Sequence, residues 1–185
     1  MLKDKLVSKN IYTKMTNKRK TLYYIAYSSM MMAIVFIGTY FIAIPYGGGA
    51  GYFNLSDGIL LFTTIYFGPL IACISTIGSV IADLVSGYAL FAPFTLLAKV
   101  IEVIVCFVLS IMLNKTKHIK YLSLIIAPLF MVLTYFISYI ILFDINYAYA
   151  SSLFDLIQGV CGSIVSIILL LIFKNIPNKL KKGNN

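Results

Sequence analysis

Apolar residues run almost unbroken over four stretches of the chain, residues 22–44, 91–113, 121–143 and 153–173. Each supplies the ~20 residues that a helix rising about 1.5 Å per residue needs to cross about 30 Å of hydrocarbon. A fifth stretch, 55–85, is interrupted by Gly68-Pro69. It reads either as one helix kinked there or as two short helices turning there. Length alone favours one, because about 13 residues is short for a crossing.

Charge decides between five crossings and six. The chain holds 15 Lys+Arg and 6 Asp+Glu. All the basic residues except Lys99 fall in the first twenty residues, the 114–120 loop or the tail from Lys174. Six crossings put these three basic segments on one face, as the excess of Lys and Arg in cytoplasmic loops requires. Five would put the 114–120 loop and the N-terminus on opposite faces. The expectation is therefore an all-α membrane protein, a six-helix bundle with both termini cytoplasmic. Its spans lie at about 22–44, 55–67, 70–85, 91–113, 121–143 and 153–173. They form a membrane domain over 21–174, between basic tails at 1–20 and 175–185. Short spans 2 and 3 imply tilt or local thinning of the bilayer.

Composition agrees. Hydrophobic residues make up 61% and charged residues 11% of the chain. A water-soluble domain needs about a quarter charged residues to cover its surface, so lipid is the solvent. The net charge of +9 flanks apolar runs, which points to anionic lipid headgroups and not to nucleic acid. The apolar run after the basic N-terminus exceeds the ~7–15 residues of a signal peptide, so it reads as a retained first span. Cys73, Cys106 and Cys161 lie in apolar runs with no metal or redox spacing, and read as small packing residues.

The acids left among the apolar runs mark the chemistry. An ionisable group within a membrane costs about 2.5–3.5 kcal/mol on insertion scales, so such groups usually line a functional cavity. Asp57, Asp83, Lys99, Glu102, Asp144 and Asp155 all fall in the outer half of the predicted bundle. Lys99 and Glu102 are three apart and share a helix face. They are either a self-neutralising pair or a cavity wall offering a cation and an anion. Asp83 either ends span 3 at the headgroups or accepts hydrogen bonds from a solute, with Tyr88 as an aromatic wall. Asn54-Leu55-Ser56-Asp57 and Ser152-Leu153-Phe154-Asp155 both look like helix caps with the acid at the positive end of the dipole. Gln158, one turn below Asp155, wants a partner. Tyr46-Gly47-Gly48-Gly49-Ala50-Gly51-Tyr52 follows Pro45 and precedes no Gly-Lys-Ser/Thr, so it is not a phosphate loop. It is a flexible linker or a mobile lid. Ser29 and Ala33 form a small-xxx-small pair on span 1 that admits another helix. The other aromatic residues are expected mostly at the lipid or the interface. No nucleotide, metal or hydrolase motif occurs, and the one histidine, His118, lies in a basic loop.

Four segments in order carry a family resemblance. They are Phe53-Asn54-Leu55-Ser56-Asp57-Gly58, Phe67-Gly68-Pro69-Leu70, the run Gly78 to Tyr88, and Ala92-Pro93 through Lys99-Val100-Ile101-Glu102. Together they resemble the membrane-embedded substrate-binding (S) components of energy-coupling factor (ECF) vitamin transporters, nearest the riboflavin-type branch. The resemblance implies a protein that binds a vitamin or its precursor in an outward-facing pocket with the first outer loop as lid. It implies docking onto a transmembrane coupling protein that carries two cytoplasmic ATPases, so that this chain needs no cofactor of its own. It places the chain in a bacterial cell membrane. The family often has two alanines spaced by four on span 1 for docking. Here Ala26 is followed by Met30, and Ser29/Ala33 is the usable pair. The residue after Lys99, often glycine in relatives, is Val100.

The residues expected to bind the solute are Asn54, Asp57, Asp83, Tyr88, Lys99, Glu102, Asp155 and Gln158. Lys99 would meet an anionic or acceptor group, and Tyr88 would stack on a ring. Riboflavin, pyridoxine, a thiamine-pyrimidine precursor, pantothenate and a queuine-like base remain open, and the acids mildly favour pyridoxine or the pyrimidine. Two rival classes stand beside this one. An intramembrane enzyme acting on a lipid or prenyl substrate would usually show Asp-x-x-Asp repeats, which are absent. A stand-alone secondary transporter would work without an ATPase partner.

Overall fold

The computed structural model of the chain describes residues 17–46, 51–113 and 119–174. They form six helices and one hairpin: α1 (Asn17–Tyr40), β1 (Ile44–Tyr46), β2 (Gly51–Phe53), α2 (Ser56–Tyr66), α3 (Pro69–Val85), α4 (Ala92–Met112), α5 (Ile119–Leu142) and α6 (Ile145–Lys174). Four of the six helices are long and apolar enough to cross a membrane. The hairpin was not foreseen. It is antiparallel, pairing Ile44 with Phe53, Pro45 with Tyr52 and Tyr46 with Gly51.

Gly68-Pro69 separates two helices, as the charge argument required. The amides of Phe67 and Gly68 both donate to the Thr63 carbonyl, at 2.9 and 3.1 Å, and close off α2. Gly68 then takes φ +106°, a conformation L side chains rarely adopt, and Pro69 starts α3. α2 has 11 residues, about 16 Å of helix. It cannot cross by itself. It is enclosed instead, with Ser56, Asp57, Gly58 and the run Leu60 to Thr64 all buried. Non-helical backbone at membrane depth is tolerated where protein surrounds it, which lets the β2–α2 junction complete the crossing.

Packing is inverted relative to a soluble protein. Lys99, Glu102, Asp57 and Asp83 are buried, while Leu22, Phe41, Ile141 and Leu153 are among the most exposed apolar side chains. α1 lies on α3, α4 on α5, α5 on α6, and α2 on α6. The α1–α3 crossing depends on Gly78, where an added Cβ would sit 2.3 Å from the Met32 carbonyl oxygen. The α2–α6 crossing is also close, since a Cβ on Gly162 would lie 3.0 Å from Cβ of Asp57.

The sixth helix corrects one expectation. It was placed at about 153–173, but α6 begins at Ile145, so most of the stretch left between the fifth and sixth expected spans is helical. Asp144 is its cap, accepting a 2.8 Å hydrogen bond from the Tyr147 amide. Asp155 is therefore not a capping acid; it lies well inside the helix, buried.

Candidate functional site

The hairpin end of the bundle holds a small cavity of about 30 Å³, lined by Tyr52, Asn54, Asp83, Tyr88, Phe91, Thr95, Tyr135, Tyr139, Asp155 and Gln158. Local backbone geometry builds one wall. Gly87 takes φ +85°, and the Tyr88 amide reaches back 2.8 Å to the Asp83 carbonyl. This reversal after α3 sets the Tyr88 ring near the Asp83 carboxylate, and Phe91 follows where α4 begins.

Five rings then run in sequence around the cavity. Tyr52 and Tyr88 have centroids 4.9 Å apart, Tyr88 and Phe91 6.3 Å, Phe91 and Tyr139 6.1 Å, and Tyr139 and Tyr135 5.9 Å. Their hydroxyls are directed by polar partners. Tyr52 donates to Asp83 Oδ1, Tyr135 to Thr95 Oγ1 at 3.1 Å, and Tyr139 to Asp155 Oδ1 at 3.4 Å. Burial, then the Asp83 charge, pushes the Tyr52 hydroxyl well above the usual phenol range, so it stays a donor. Asp83 Oδ2 has no hydrogen-bond partner.

Behind the cavity lies a chain of buried polar contacts. Gln158 Oε1 accepts the Asn54 amide at 2.9 Å, and Gln158 Nε2 donates to Asp57 Oδ2 at 2.6 Å. Lys99 Nζ pairs with Asp57 Oδ1. Asn54 Oδ1 in turn accepts the Ser56 amide at 3.0 Å, where α2 begins. The partner that Gln158 required is thus the junction between hairpin and helix. Both carboxylate oxygens of Glu102 lack a hydrogen-bond partner.

The sequence candidates therefore divide. Asn54, Asp83, Tyr88, Asp155 and Gln158 line the cavity with Tyr52. Asp57, Lys99 and Glu102 do not line it. Lys99 was expected to meet a solute acceptor, but Asp57 from α2 takes its ammonium instead. Asp57, expected as a possible cap, holds Lys99 and Gln158 instead. Phe91, Thr95, Tyr135 and Tyr139 were missed. The aromatic residues were expected mostly at the lipid or the interface; Tyr135 and Tyr139 are buried. Their i, i+4 spacing within an apolar span was a usable signal, because a tyrosine hydroxyl in hydrocarbon needs a partner. Phe91, Thr95, Lys99 and Glu102 share one stripe of α4, which was a second signal.

Of the expected lid, Tyr46 lies in β1, and Gly51 and Tyr52 in β2; Gly47, Gly48 and Gly49 fall outside the described residues. Ser29 and Ala33 are exposed on α1, while the close α1–α3 approach is made by Gly78. Among the described residues, no group of His, Cys, Asp and Glu is disposed to hold a metal ion.

Comparison with known proteins gives three findings. A family model described as the S component of the ECF-type riboflavin transporter matches residues 19–175. An uncharacterized protein of Pyrococcus woesei is 30% identical over 132 residues, 71% of this chain and 88% of that one. A solved S component of a bacterial ECF transporter has a similar fold, with a TM-score of 0.61 at 21% identity, over 88% of this chain and 99% of that one.

Proposed function

This chain belongs to the family of S components of ECF-type riboflavin transporters, and from that membership we propose that it captures a water-soluble vitamin or vitamin precursor for uptake. As in the rest of its family, it is a multi-pass membrane transport component and not an enzyme. The observation that carries the proposal is the cavity at the hairpin end. It combines an aromatic arc, buried polar groups and Tyr52 from the hairpin, whose hydroxyl donates to Asp83. At about 30 Å³ the cavity holds little more than water, so a solute enters only after the hairpin carrying Tyr52 swings away. Riboflavin, pyridoxine and a thiamine-pyrimidine precursor all fit the class of solute. ATP is hydrolysed elsewhere, by two cytoplasmic ATPases acting through a transmembrane coupling protein, and the exposed Ser29/Ala33 face of α1 is the docking surface.

Mass spectrometry of small molecules released from protein purified in mild detergent tests the first half. A stoichiometric vitamin is expected. Reconstitution in liposomes tests the second. Uptake should require the coupling protein, both ATPases and ATP. Uptake by this chain alone would make it a secondary transporter.

A further inference from the structure

The cavity wall carries carboxylates, hydroxyls, amides and rings, but no cation. Asp83 and Asp155 are its only charged residues. The nearby ammonium of Lys99 is taken up by Asp57 behind the wall. Asp83 is fully buried, and while its Oδ1 accepts from Tyr52, its Oδ2 has no partner. A buried carboxylate oxygen without a donor is costly, and a site that keeps one is short of the donor a ligand brings. The rings from Tyr52 through Tyr88, Phe91 and Tyr139 to Tyr135 offer π faces, which attract flat rings and cations alike.

We propose that the solute is a flat heteroaromatic ring bearing an amino group. The amino group donates to Asp83 Oδ2 while the ring lies against the aromatic arc. Phosphorylated and carboxylated forms are disfavoured, because Asp83 and Asp155 face the cavity while the ammonium of Lys99 is held by Asp57 outside its lining. This inference rests on the solute-capture reading above and narrows its substrate class.

The test uses the full chain in detergent and matched ligand pairs, with binding read by calorimetry. One pair is pyridoxamine and pyridoxine. The other is 4-amino-5-hydroxymethyl-2-methylpyrimidine and its 4-hydroxy analogue. Riboflavin, pantothenate and the phosphate esters of both amino compounds complete the set. At least one amino compound should bind, tenfold or more tighter than its amino-free partner, with no detectable binding of the esters or pantothenate. Asp83→Asn should erase that tenfold preference while melting near the parent temperature. If Asp83→Asn fails to fold, the matched pairs on the unaltered protein decide. Equal or tighter binding of riboflavin, an amino-free partner or an anion overturns the inference and leaves solute capture standing. No binding across the whole set, from protein also purified empty, overturns both.

Discussion

Lys99 shows how a single residue can be legible in kind and illegible in role. Its apolar surroundings in the sequence mark it as exceptional, and Glu102 at i+3 suggests a local partner. In the fold its ammonium meets Asp57, 42 positions away. Breaking a buried ion pair leaves an uncompensated charge, at about 3–5 kcal/mol. Lys99→Met should therefore lower thermal stability sharply in detergent, and the double variant Lys99→Met/Asp57→Asn should recover most of the loss. A single variant that melts like the parent would mean that the pair does not hold the core together. Asp83 and Gln158 were readable as polar groups in need of partners. Tyr135 and Tyr139 carried only the weaker signal of their i, i+4 spacing, because aromatic residues are common at lipid and interface, and tertiary packing places these two inside.

At the scale of elements, punctuation was the reliable signal. Gly68-Pro69 ends one helix and starts another, and the basic segments fix how many helices there are. Lengths were less reliable. The start of α6 was misplaced because the polar residues at 144–152 look like a loop, although Asp144 three residues before Tyr147 is an N-cap pattern. The hairpin was hidden by glycines that weaken any strand signal. Helix crossings depend on residues the sequence leaves unremarked. Gly78→Ala should cost about 1–3 kcal/mol, the usual range for overpacking, because its new methyl meets the α1 backbone and not a movable side chain. Denaturation of the variant against the parent measures it. An unchanged midpoint would show that α1 can shift away freely.

At the scale of the whole molecule, lipid explains both the exposed apolar surface and the buried polar centre. The charge asymmetry predicts an orientation with both termini cytoplasmic. With the native cysteines replaced, a cysteine at Gly49 should react with a membrane-impermeant thiol reagent applied outside intact cells, and one at Thr116 should not. The reverse pattern would turn the bundle over and put the cavity on the cytoplasmic side.

By itself, the sequence determined the solvent, the number of helices and the polar residues worth asking about. Those properties reside in local hydropathy, in turn chemistry and in where charge is tolerated. The tertiary structure alone decided which polar groups face the cavity and which neutralise one another behind it. A wall needs side chains from β2, α3, α4, α5 and α6 at once, and contacts between residues a hundred positions apart, such as Asn54 with Gln158, depend on how helices cross and not on any pattern within one of them.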